Sequence, residues 1–366
     1  MFKKNSRGRK IRHYGPSYNT RPRRRRHFWG LVCLAVAVFV IGWLAGPHIL
    51  DFGTGIWYSV VNPKPSSGVS QPASSQVQPT AQPTQQPTAL PEAQQPTTAI
   101  VAGRWTASSL SALADEEAVR AAAADAAAQG FTYAIIPLKD TSGYLYYPSQ
   151  VPLAQGSVAA STVDAALVAK AFQQAGVTPV ASLSAFRDPI TPYTDRAIGI
   201  RYRGKDYMWL DNTAAAGGKA WLNPYHADAV DYIGDLVEEL SAMGYEHALL
   251  SHVQFPSQVS SKQDFGDVGT ATRADALKNA IAGWNTRFEG RVTLWYEYSY
   301  NACTAPVPAL EATPCQLGVQ NLMLRLPVAE EDEVIDLSGL AGIVTAMKDG
   351  GCSYVAVRDA AIADFH

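Results

Sequence analysis

The sequence predicts an α/β fold: a (β/α)8 TIM-like barrel, with a degenerate or missing strand as the alternative to a complete one, behind one transmembrane helix and a disordered linker. Three observations predict it. From residue 100 to residue 366, strand-like and helix-like periodicities alternate. A glycine closes most of the helical segments. The series runs for about 265 residues, which suits such a barrel better than a doubly wound sheet. No Gly-rich phosphate loop follows the first strand, which also disfavours a nucleotide-binding fold.

The strand-like runs are residues 100–107, 131–138, 177–185, 248–253, 292–298, 319–326 and 354–357. Helical patterns lie between most of them. Residues 115–129 are Ala-rich and stop at Gly130, and 162–174 stop before Gly176. Residues 227–243 end at Gly244, 272–288 before Gly290, and 338–348 before Gly350. Glycine takes up the left-handed conformation that ends a helix without a Cβ clash. Strand and helix repeated this often imply a parallel sheet wrapped by helices. Only seven strands are clear. Residues 333–337 are the candidate eighth, and the alternative is an incomplete barrel.

The barrel follows three segments of different composition. Residues 1–27 hold eleven Lys or Arg, including Arg23 to Arg26, and no acid. Residues 28–50 contain no Asp, Glu, Lys or Arg. At about 1.5 Å per residue that run crosses a hydrocarbon core of roughly 30 Å. Trp29 and Trp43 stand near its ends, where amphipathic rings favour the interface. An uncleaved anchor is expected, with the basic tail cytoplasmic and the C-terminal domain extracytoplasmic. The tail also fits a patch for anionic lipid or nucleic acid. Residues 51–99 form the linker. From Pro63 onward it is built of Pro, Gln, Ser, Thr and Ala, with Lys64 and Glu92 the only charges. Such a composition cannot bury enough apolar surface to fold. Semi-extended, it reaches up to about 100 Å from the membrane.

Whole-chain net charge is −2, and removing the tail's +11 leaves −13 for everything beyond it. An acidic exterior part argues against a nucleic-acid role there. Cys303 and Cys315 bracket a Pro-rich loop and are close enough in sequence for a disulfide in an oxidising exterior. Cys352 fits a small buried residue. No His or Cys pair stands at metal-ligand spacing, so neither metal nor cofactor is expected.

In a barrel of this type the site lies at the carboxyl ends of the strands. The residues there are Lys139 and Asp140, Arg187 and Asp188, Ser251 and His252, Glu297, Arg325, and Arg358 and Asp359. Several segments carry a resemblance. Ile136-Pro-Leu-Lys-Asp140 with Gly143, Ala181 to Pro189, Trp221-Leu-Asn-Pro-Tyr225 and Ser251-His-Val-Gln-Phe-Pro256 resemble motifs of a glycoside-hydrolase family of bacterial envelope proteins. The likeness covers most of residues 100–260. It implies a glycosidase-like barrel and a carbohydrate ligand. At five places the chain departs from the family pattern. Pro137 replaces an Asp, Ser182 an Arg, Ser251 an Asp, His252 a Tyr and Gln254 an Arg.

Hydrolysis of a glycosidic bond uses two carboxyls, one to protonate the leaving oxygen and one to attack or activate water. Ser251 can do neither. Strand neighbours point to opposite faces, so a Ser251–His252 dyad requires the chain to have turned already. The candidate catalytic acids are Glu297, with Trp295 on the same strand face, and Asp140 or Asp188. The opposing expectation is that Glu297 pairs with Arg325 or Arg358 in a closed polar core. Residues 200–211 are expected to form a hairpin turning at Gly204-Lys205, carrying Tyr202, Tyr207 and Trp209 over the mouth. Tyr144, Tyr146 and Tyr147 stand on the other rim. With Trp295, Arg187, His252 and Ser251, Tyr202, Tyr207, Trp209 and Tyr146 are the candidate substrate-binding residues, since flat aromatic faces suit sugars, though they also cover core edges. The expected partner is cell-envelope polysaccharide, with activity weak or lost. The alternative is a scaffold or protein-binding module of the envelope.

Overall fold

A computed structural model describes residues 100–327, 337–358 and 363–365. The predicted tail, anchor and linker, and all but the last residue of the candidate strand 333–337, lie outside the described residues. Among the described residues no helix is long and apolar enough to cross a membrane.

Seven parallel strands curl around one axis: β1 (Trp105–Ala107), β2 (Tyr133–Lys139), β3 (Thr178–Ser184), β5 (His247–Ser251), β7 (Thr293–Ser299), β8 (Asn321–Arg325) and β9 (Tyr354–Arg358). They correspond to the seven runs read from the sequence. The gap between β9 and β1 is bridged by β10 (Ala363–Phe365), antiparallel to both. Among the described residues β10 therefore takes the eighth place in the closed barrel. A separate two-stranded ribbon, β4 (Arg201–Tyr202) with β6 (Gln263–Asp264), stands outside the barrel.

The helices start and stop for local reasons. Asp115 accepts the Ala118 N–H and caps Glu116–Ala128, and Gly130, at φ +75, follows its end. Thr272 and Asp275 form a capping box for Arg273–Phe288. In Ala227–Ala242 the buried residues Ala229, Tyr232, Ile233, Leu236, Val237 and Leu240 make one stripe of helical period. Between β7 and β8 there is only the short helix Tyr300–Thr304 and a 3-10 turn, Cys315–Leu317. Pro306, Pro308 and Pro314 fall in that segment and prevent a longer helix.

Two cores result. One lies between sheet and helices. The other consists of Trp105, Tyr133, Ile135, Val180, Leu249, Trp295, Met323 and Ala356. These residues share the inner face of the curled sheet and fill the barrel. Trp105 stacks on Tyr133 at 4.3 Å and meets the edge of Trp295 at 5.0 Å.

Candidate functional site

Side chains on one face of a strand recur every second residue. Two residues beyond the inner apolar layer, that rule sets Ser251, Glu297, Arg325 and Arg358 on the inner face at the carboxyl ends of their strands. The register pairs Ser184 with Ser251, Ser251 with Glu297, and Arg325 with Arg358. Lys139 joins them after a register shift between Pro137 and Lys139 in β2. A polar layer of these six residues closes the barrel.

Its charges are paired. Glu297 is buried, with Arg358 Nη1 at 2.5 Å and Arg325 Nε at 3.6 Å. Lys139 Nζ lies 2.9 Å from Asp188 Oδ2, and both side chains are fully buried. The same ammonium donates to the Ser184 carbonyl at 2.8 Å. Asp188 also accepts from the backbone N–H of Ile190 (3.0 Å) and Thr191 (2.9 Å) and from the Thr191 hydroxyl (2.7 Å). Gly143, at φ +85, backs onto this carboxylate, and a Cβ there would come within 2.7 Å of its Oδ1. The Lys-Asp…Gly pattern thus serves packing around Asp188.

Asp140 is occupied by a turn. It accepts the N–H groups of Ser142 and Tyr144, at 2.9 and 3.1 Å, and the Tyr146 hydroxyl at 2.8 Å. Burial, then the bond to Asp140, pushes the Tyr146 hydroxyl up to about 12. Tyr147 is buried, while Tyr144 is exposed. Trp295 lies inside the barrel core and cannot reach a ligand at the mouth.

Ser251 and His252 do meet. The chain has turned by His252, whose φ is +55, and its Nδ1 stands 3.0 Å from Ser251 Oγ and 3.5 Å from Ser184 Oγ. Strand alternation, the reason to expect them apart, stops at Ser251. The pair is poorly suited to nucleophilic chemistry. Burial first, then the cations Arg187, Arg325 and Lys139, hold the imidazole down to about 3, which makes it a weak base.

Above the layer the hairpin forms as expected: the Tyr202 N–H donates to the Tyr207 carbonyl (2.9 Å), and the Trp209 N–H to the Ile200 carbonyl (2.9 Å). Gly204 turns at φ +69. Tyr202 and Tyr207 pack at 5.2 Å, and Tyr207 is 52% exposed. Trp209 is only 4% exposed and belongs to the core. Together these rings line a cleft of about 530 Å³. A second cleft, of about 460 Å³, is lined by Arg187, His252 and Gln254 together with Asp211, Lys219 and Trp221. The last three did not emerge as site residues from the sequence. Asp211 accepts the Trp221 indole N–H at 3.0 Å and the Lys219 backbone N–H at 2.7 Å, tying the hairpin to the Trp-Leu-Asn-Pro-Tyr segment. That segment's Asn223 holds the Phe265 carbonyl at 3.0 Å and accepts the Tyr225 N–H at 3.1 Å. Its most specific motif is therefore an architectural brace. A Trp followed by Asn-Pro beyond an aromatic hairpin was the available sequence signal for the cleft wall.

Cys303, Cys315 and Cys352 are free thiols, so no Cys303–Cys315 bridge is present. Among the described residues no cluster of His, Cys, Asp or Glu is arranged to hold a metal.

Residues 109–292 match the profile of a family described as "Putative glycosyl hydrolase domain". No curated protein matches the sequence. Similar solved structures include a hypothetical protein from Ruminiclostridium thermocellum, 18% identical, covering 52% of this chain and 95% of that one, with a TM-score of 0.45. An α-galactosidase from Thermus thermophilus is 14% identical over 69% of this chain and 46% of its own, with a TM-score of 0.41. A β-N-acetylhexosaminidase from Streptomyces coelicolor is 10% identical over 67% and 45%, with a TM-score of 0.39. The chain thus spans under half the length of these two enzymes. Likenesses this distant carry no weight for fold or chemistry.

Proposed function

The chain belongs to that glycosyl hydrolase domain family, and from this premise we propose that it engages a cell-envelope polysaccharide at its barrel mouth while hydrolysing it weakly or not at all. One observation carries the reading. The acids at the mouth already have partners: Glu297 is clasped by Arg358 and Arg325, and Asp188 by Lys139 and three further donors. A general acid must hold a proton to deliver, and guanidinium neighbours favour the ionised carboxylate. At position 251, where the family pattern has an acid, a serine hydroxyl stands. In the aromatic cleft, Tyr207, exposed, and Tyr202, half-buried, supply flat faces suited to the apolar sides of sugar rings, above the buried Trp209.

On this reading residues 28–50 anchor the chain, the basic tail is cytoplasmic, and the linker holds the barrel out in the envelope. The composition of the N-terminal segments supports that topology.

Reducing-end release from isolated cell-wall polysaccharide, with the full-length protein and its Glu297→Gln variant, tests the chemistry. Binding without release is the expected result. Robust release that disappears in Glu297→Gln would make the protein a working hydrolase and overturn the weak-activity reading. Neither binding nor release would turn the assignment to a protein-binding module.

A further inference from the structure

The two clefts adjoin, with Asn212 and Gln258 lining both, and together they are treated as one groove. Its character changes along its length. The end carrying Tyr202, Tyr207 and Trp209 is aromatic. The other end presents Arg187, Lys219, His252 and Gln254.

Arg187 stands out there. Its Nε is buried and has no hydrogen-bond partner, and among the described residues no carboxylate forms an ion pair with it. Guanidinium does not shed its proton, so a half-buried cation of this kind is unfavourable until an anion meets it. The acids nearby cannot serve. Asp211 is held by the Lys219 N–H and the Trp221 indole, Asp188 by Lys139, and Glu297 by Arg358 and Arg325. Lys219 is exposed at the same end and makes no ion pair among the described residues. In this cleft Arg187 and Lys219 face the single carboxylate of Asp211, whose hydrogen-bond donors are neutral, so the cleft's net charge is +1, on a chain that carries −13 beyond its basic tail.

We propose that the groove takes an anionic polysaccharide, a sugar chain bearing carboxylate or phosphodiester groups, and that Arg187 is its principal anion-binding residue. The inference rests on the glycan reading of the same site and names the class of glycan. Sugar faces lie on the tyrosines while an acidic substituent lies against the guanidinium fork, whose planar donors match carboxylate and phosphate oxygens in pairs.

Titration calorimetry of the full-length, detergent-solubilised protein tests it with three probes: polygalacturonate, its methyl ester, and a phosphomannan whose sugars carry phosphodiester groups. We expect at least one anionic probe to bind about tenfold or more tightly than the neutral ester, with affinity falling as salt rises. Arg187→Gln abolishes the difference. Lys219→Gln, at an exposed position where misfolding is no concern, weakens the anionic probes alone by a few-fold. Whichever of polygalacturonate and the phosphomannan binds tighter identifies the source of the anion. Tyr207→Ala weakens the ester and the anionic probe equally. Equal affinity for charged and neutral probes, with Tyr207→Ala still weakening both, overturns the anion assignment and leaves glycan binding standing. Binding of none of the probes overturns both.

Discussion

Replacing Asp188 by asparagine removes one negative charge from a site where Lys139 and Asp188 are both fully buried. The two partners are not equivalently supported. Without Asp188, the Lys139 ammonium retains one hydrogen bond, to the Ser184 carbonyl. Without Lys139, the Asp188 carboxylate retains three, from Ile190, Thr191 and the Thr191 hydroxyl. Breaking a buried pair by removing one partner costs about 3–5 kcal/mol, because the other charge is left uncompensated. Asp188→Asn therefore belongs at the upper end, about 4–5 kcal/mol. Lys139→Met belongs lower, at about 2–3 kcal/mol, since donors to an anion remain. For a domain of this size each kcal/mol lowers the Tm by about 2–4 °C, so Asp188→Asn should lower it by about 10–15 °C. Thermal unfolding followed by circular dichroism gives the Tm, and urea titration gives the free energies. The order of the two variants is the informative result. A Tm for Asp188→Asn within about 2 °C of wild type, or a greater loss in Lys139→Met, would refute the reasoning and return Asp188 to the list of catalytic acids.

Other outcomes are also expected. Trp209→Ala, at a position 4% exposed, should destabilise by about 3–5 kcal/mol, whereas Tyr207→Ala should stay within about 0.5 kcal/mol and act on polysaccharide binding; urea midpoints separate the two. His247 is 1% exposed, accepts the Trp295 indole N–H at 3.3 Å on Nδ1, and is lowered by burial to about 4. Below its unfolded value of about 6.5 the unfolded chain takes up a proton that the folded chain refuses. Stability is thus fully present above about pH 6.5 and is lost as pH falls toward 4, by about 3 kcal/mol over the window. Denaturation of His247→Gln across that range should show a flatter slope than wild type, and parallel slopes would exclude this histidine as the source. Ser251→Asp should not revive reducing-end release, because the neighbouring acid Glu297 remains paired; vigorous release from that one change would mean the rest of the machinery is intact.

Much of the barrel was legible because its determinants are local. Asp115, Thr272 and the glycines at 130, 176, 244 and 290 mark helix ends through hydrogen bonds and backbone angles a few residues away. Strand period alone set Glu297 and Trp295 on one face and led to the expectation that Arg325 or Arg358 would meet the acid. The closing strand was not legible, since β10 is three residues long and is specified by the gap it bridges between β9 and β1. Trp209 was expected on the rim because a hairpin pattern tells which residues alternate but not how deeply the hairpin beds against the barrel. Asp211, Lys219 and Trp221 enter the site through contacts made by a long loop folding back, which no short spacing encodes. The contact of Ser251 with His252 escaped for a similar reason: it depends on one residue at φ +55.

Charge in the mouth gives the substitution at position 251 a second meaning. Lys139, Arg325 and Arg358 are three cations, faced by Asp188 and Glu297. An aspartate at 251, in register with Glu297, would balance them. With serine there, one positive charge stays unmatched, before Arg187 is added. Weak hydrolysis and anion binding, as proposed, thus draw on the same residue: Ser251 withholds a carboxyl from the mouth and leaves the charge of that layer positive.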